Sequence, residues 1–118
     1  MFKLIILIEP DIDEGAFFEG FPQFLAHAEN LPGLERVVTA PVQTCLAGKF
    51  SPLMIYELIF PTRQALESAM ASEEGVAAGK TLQIITRGAV TLLVSAHMED
   101  SAENLRSYHN QRPSTSKG

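Results

Sequence analysis

Three short stretches of this chain are apolar on both of their faces. Side chains alternate across an extended strand, so every second residue shares a face. In 2–9 one set is Phe2, Leu4, Ile6 and Ile8, and the other is Lys3, Ile5, Leu7 and Glu9. In 53–60, Met54, Tyr56, Leu58 and Phe60 oppose Leu53, Ile55, Glu57 and Ile59. In 90–97, Val90, Leu92, Val94 and Ala96 oppose Thr91, Leu93, Ser95 and His97. A sheet with helices on one side needs a single apolar face. The first set in each strand is assigned to that covered core. The second set still holds Ile5, Leu7, Ile55, Ile59 and Leu93. Left open, they would expose on the order of several hundred Å², as much as the largest patch of a typical monomer. At ~25 cal/mol per Å², covering them is worth several kcal/mol before association costs. The expected cover is a second copy of the chain about a two-fold axis, with those five residues at the dimer interface.

The rest of the chain supplies the missing elements. Pro10-Asp11 ends the first strand. Asp11 or Asp13 caps a helix whose apolar positions are Phe17, Phe18, Phe21, Leu25 and Ala28, with Pro22 as a point of late start or kinking. Leu31-Pro32-Gly33-Leu34 is a turn. Residues 34–42 form a strand, placed at a sheet edge because Pro41 cannot donate to a ladder. After a loop at 48–52 and the strand 53–60, Thr62 caps a second helix through Ala65, Leu66, Ala69 and Met70. Ser72 starts a further short helix to about Lys80. Residues 81–87 are ambiguous, and 88–96 form the last strand.

The order is β-α-β-β-α-β. That is the ferredoxin-like α+β arrangement, a four-stranded antiparallel sheet with helices on one face. Paired through its open face, it becomes a dimeric α+β barrel. Residues 1–98 are read as this one domain. Residues 99–118 are a polar C-terminal tail with almost nothing to bury.

Composition narrows the function classes. Nine Lys and Arg are scattered in a chain of net charge −5, so no basic stripe for nucleic acid is present. The longest apolar run, 4–8, is too short for a bilayer, and what surrounds it makes a poor signal peptide, so no membrane partner is expected. One cysteine, Cys45, allows no internal disulfide and fits a reducing, cytoplasmic setting. With no base near it in sequence, it is read as a buried, inert thiol. His27, His97 and His109 lack metal-ligand spacing, and no glycine pattern matches a phosphate loop. No metal and no cofactor is implied.

The open face carries Lys3, Glu57, Thr91 and Ser95 among its aliphatics, and antiparallel pairing brings Lys3 near Glu57. A mostly apolar cavity with a few polar groups is the usual form of a small-molecule site, while the plainer reading is an ion pair at the barrel seam. His27 is the best general-base candidate by intrinsic pKa if its helix leans over a pocket, with Glu57 as the carboxylate candidate.

Several segments together resemble the EthD family: Met1-Phe2-Lys3-Leu4, Leu31-Pro32-Gly33-Leu34, Ser51-Pro52, Glu57-Leu58-Ile59-Phe60, Ala71-Ser72-Glu73-Glu74-Gly75 and Gly88-Ala89-Val90-Thr91-Leu92-Leu93. Their order and spacing match over residues 1–97. The resemblance implies a ferredoxin-like fold, a homodimeric α+β barrel and a cavity for small organic molecules. It also implies relatives among cofactor-free decarboxylases, dehydratases and cyclases. Where the family carries a histidine on the first helix, this chain has Phe24. Where the family often has an acid and a Phe before the last strand, it has Thr81 and Ile85. Glu57 matches. The expected pocket is therefore Phe24, His27, Lys3, Tyr56, Glu57, Thr91 and Ser95, with no catalytic residue assigned. The leading expectation is a homodimer binding an apolar or aromatic metabolite, an accessory factor in a degradation pathway like that for ethyl tert-butyl ether. The alternatives are a cofactor-free lyase, isomerase or monooxygenase acting through Glu57 or His27, and a structural interaction module.

Overall fold

The computed structural model describes residues 1–111, with side chains to residue 106. The elements are β1 (Phe2–Ile8), α1 (Glu14–Ala28), β2 (Arg36–Pro41), β3 (Met54–Phe60), α2 (Arg63–Ala71), α3 (Glu73–Thr86), β4 (Val90–Ala96) and α4 (Ala102–Gln111). The strands form one antiparallel sheet in the order β2-β3-β1-β4. The fold is ferredoxin-like α+β, and β2, with Pro41, is an edge strand.

Helix starts follow the cap residues. Asp13 Oδ1 accepts from Ala16 N–H, Thr62 Oγ1 from Ala65 N–H, and Ser72 Oγ from Gly75 N–H. Each satisfies a donor that the first helical turn leaves without a partner. Ser72 ends α2 and begins α3, so the two helices meet without a linker. Pro22 sits inside α1, which runs through it. The ambiguous stretch 81–87 is the last part of α3, with Leu82, Ile85 and Thr86 buried. Helix α3 ends with Arg87 in the left-handed region.

The core lies between the sheet and α1–α3. Leu4, Ile6, Ile8, Met54, Tyr56 and Leu58 face Phe17, Phe24, Leu66 and Leu82. Helices α1 and α3 approach closely at Gly20, where a Cβ would stand 2.3 Å from Ile85 Cγ2. No larger residue fits there without displacing a core side chain.

Four expectations need correction. Leu92 and Val94 were assigned to the covered core, yet they are 46% and 50% exposed. They point to the helix side of the sheet, but β4 is its outer strand and the helices do not extend over it. Ile59 was placed at the dimer interface, yet it is 0% exposed in the single chain. It pairs with Arg36 on one side and Lys3 on the other, from where amphipathic stems shield an aliphatic. Cys45 is exposed rather than buried, its Sγ lying 3.2 Å from the Ala47 carbonyl. Within the polar tail, Ala102–Gln111 is helical, its start capped by Ser101 Oγ accepting from Asn104 N–H. The remaining tail residues, 112–118, lie outside the described residues, as does the side chain of His109.

Candidate functional site

The seven residues expected to line one pocket fall on two sides of the sheet. Lys3, Glu57, Thr91 and Ser95 share the open face through the pairings Lys3↔Ser95, Ile5↔Glu57 and Leu7↔Thr91. Phe24 and Tyr56 lie on the helix-covered side, their ring centroids 5.7 Å apart and edge to face. His27 is half-buried in the last turn of α1. A single layer of backbone separates the two groups, so they do not build one site.

On the open face, Lys3 Nζ donates to both carboxylate oxygens of Glu57, at 3.2 and 3.3 Å. The two side chains are 17% and 19% exposed. Each lysine proton committed to Glu57 occupies a lone pair a general base would need. Around this pair Ile5, Leu7 and Ile55 are half-buried, while Leu93 is 47% exposed. Ser95 turns its hydroxyl to the Ala96 carbonyl, 2.9 Å away.

One end of this face carries a strap that sequence reasoning did not find. Arg36 on β2 and His97 beyond β4 both reach Glu99 Oε2, at 2.6 and 2.5 Å. The two edge strands are thereby tied across the sheet. The hydrogen bond from His97, then that from Arg36, holds the Glu99 carboxyl below its usual range. No local motif links Arg36 to His97 and Glu99, which lie 61 and 63 residues further along the chain. Only the strand order brings them together.

On the covered side, Phe17, Phe21, Phe24 and Tyr56 form a continuous aromatic cluster, with successive centroids 5.1 to 5.8 Å apart. Burial, and then the charge of Glu29, pushes the Tyr56 phenol above its ordinary value. Beside this cluster a cleft of about 50 Å³ lies between α3 and the sheet. Leu4, Ile6 and Leu58 form its floor, and Phe24, Met70 and Leu82 its walls. None of its eleven lining residues carries an ionisable, hydroxyl or amide side chain. Such a space can hold an apolar group and has nothing with which to move a proton. Glu57 and His27 do not line it. Among the described residues no three His, Cys, Asp or Glu side chains gather as a metal site, and no helix is long and apolar enough to cross a membrane.

No protein-family model matches the chain, and no curated protein matches it. Solved structures do. An EthD (ethyl tert-butyl ether d) family protein from Bacillus halodurans C-125 is 27% identical, with a TM-score of 0.76 over 83% of this chain and 99% of that one. A dimeric ferredoxin-like protein of unknown function from Jannaschia sp. CCS1 is 16% identical, with a TM-score of 0.63 over 81% and 98%. SnoaB, a cofactor-independent oxygenase from Streptomyces nogalater, is 11% identical, with a TM-score of 0.60 over 86% and 96%. The last two share the fold. With the first, this chain shares the backbone course and more than a quarter of its aligned residues, so it is similar to an EthD family protein beyond the fold alone.

Proposed function

We propose that the chain acts as a homodimer, joined through its open sheet face, in which each protomer binds a small apolar molecule between α3 and the sheet. The observation that carries the binding reading is the lining of the cleft, which is apolar throughout. An enzyme using Glu57 would need that carboxylate beside the cleft, but it stands across the sheet and is engaged by Lys3. The dimer rests on the aliphatics of the open face, on a neighbour that is a dimeric ferredoxin-like protein, and on the energy that covering such a face supplies. The family name of the B. halodurans neighbour carries a branched, uncharged ether. A molecule of that chemical kind suits this lining, and the role is an accessory one in the breakdown of such compounds.

The free cleft, at about 50 Å³, has room for no more than a few water molecules. A ring or a branched alkyl group therefore needs Met70 and Leu92 to change rotamer, which an unbranched thioether and a half-exposed leucine allow. Titrating methyl-labelled protein with cyclohexane tests the reading. Leu4, Ile6, Met70 and Leu82 methyls should shift with saturation, while those of Ile5, Leu7 and Ile55 stay in place. Shifts confined to the open-face methyls, or no saturable shift, overturn it.

A further inference from the structure

The cleft has a definable mouth. Nearly all of its lining is buried: Leu4, Ile6, Phe24, Leu31, Leu58 and Leu82 are each below a tenth exposed. Two lining residues are exposed, Gly79 on α3 and Leu92 on β4. They stand on facing elements, one on the helix that roofs the cleft and one on the outer strand that the helices fail to cover. At Gly79 a Cβ would meet nothing within 4 Å, whereas at Gly75, one turn earlier, it would press into the Ala69 carbonyl at 2.1 Å. The two glycines therefore differ in what they do. Gly75 is required for close packing between α2 and α3. Gly79 has free space and sits in a helix interior, where glycine is disfavoured relative to alanine. The exposed side chains beside it on α3 include Val76 and Ile84, with Lys80 the one charged neighbour that borders the same depression.

We infer that apolar molecules reach the cleft between Gly79 and Leu92, and that the missing side chain at Gly79 keeps this passage open. This rests on the binding reading above. The molecules it admits are uncharged and hydrocarbon-like, narrow enough to pass one leucine side chain, because no residue lining the cleft offers a partner to a buried charge. The passage lies on the helix side of β4, so a second copy seated on the open face leaves it clear.

Gly79→Leu and Gly79→Ala, each compared with the unaltered protein by the cyclohexane titration and by thermal melting, test this. Both variants should melt at or above the temperature of the parent. Gly79→Leu should weaken cyclohexane binding at least tenfold or slow its exchange to the same degree, with Gly79→Ala close to the parent. If Gly79→Leu folds and binds as the parent does, access lies elsewhere and this inference fails while the cleft remains. If the parent itself shows no saturable shift, the cleft reading falls and takes the passage with it. Leu92→Ala supplies the opposite displacement and should speed exchange; unchanged exchange there also counts against the passage.

Discussion

The two faces of the sheet are cut from the same strands and meet different fates. On the covered face of β1 and β3, Leu4, Ile6, Tyr56 and Leu58 are buried within the chain. One residue over in each strand, Ile5, Leu7 and Ile55 are only half-buried. Apolar content does not distinguish them. The polar residues do: across β1, β3 and β4, Lys3, Glu57, Thr91 and Ser95 all fall on the open face. In the proposed dimer, a face that closes against a copy of itself needs solubility before it closes and a fixed register once it has. A face closed by its own helices at folding needs neither, and can be filled with hydrocarbon and aromatic rings.

The largest test of this contrast sets one substitution on each face. Leu58→Ala on the covered side should cost about 2–5 kcal/mol in urea unfolding, the range for emptying a packed core site. Ile55→Lys on the open side should leave the protomer folded by far-UV circular dichroism, yet shift sedimentation from dimer to monomer. A comparable loss of stability from both would erase the distinction. An Ile55→Lys dimer that stays intact would move the pairing to another surface.

The ion pair sharpens the comparison at a smaller scale. Glu57→Gln leaves the Lys3 ammonium half-buried without its counter-charge, at a cost of about 1–3 kcal/mol. Replacing both partners by apolar residues of similar size, Lys3→Met with Glu57→Leu, should recover most of that loss, since well-packed hydrophobic residues commonly match an ion pair removed from water. Chemical denaturation of the two variants gives both numbers. If the double variant is no better than the single one, the pair contributes more than mutual neutralisation, and a role in fixing the dimer register becomes its stronger explanation.

Much of this architecture was legible in the sequence because its signals are local. Thr62 and Ser72 cap helices by their own hydroxyls, and alternation in 2–8 and 54–60 set the two faces of β1 and β3. The strand-to-strand ion pair followed from antiparallel pairing. What escaped depends on where elements end relative to one another. Nothing in Val90–Ala96 says that the helices stop short of it, so Leu92 and Val94 read as core. Nothing around Ile59 says that Arg36 and Lys3 flank it. The pocket failed for a different reason. Phe24 and Tyr56 were grouped with Lys3 and Glu57 by the kind of site they would suit, although the strand parity already put Tyr56 and Glu57 on opposite faces. The helix α4 was missed because its residues are polar by composition, while Ala102, Leu105 and Tyr108 recur at helical spacing.

Titration offers the finest separation of the two sides. Tyr56 lies on the covered face, where burial first and Glu29 second raise its phenol above the ordinary value of 10.0. A raised folded value means that the unfolded chain releases this proton first. The stability tied to neutral Tyr56 is therefore complete below pH 10, and it is lost as pH rises from there through the folded value. Glu99, at the strap over one end of the open face, has the opposite sign. Its lowered folded value means that the strap holds above the ordinary carboxylate range and loosens as pH falls through that range. Unfolding midpoints measured from pH 8 to 11 should decline above pH 10 in the parent and decline less in Tyr56→Phe, with Glu99→Gln following the parent throughout. At acid pH the order should reverse, Glu99→Gln losing the pH dependence that Tyr56→Phe keeps. If Tyr56→Phe instead declines as steeply as the parent above pH 10, the phenol meets water in the folded chain, and the aromatic cluster around it is looser than the closed face described above.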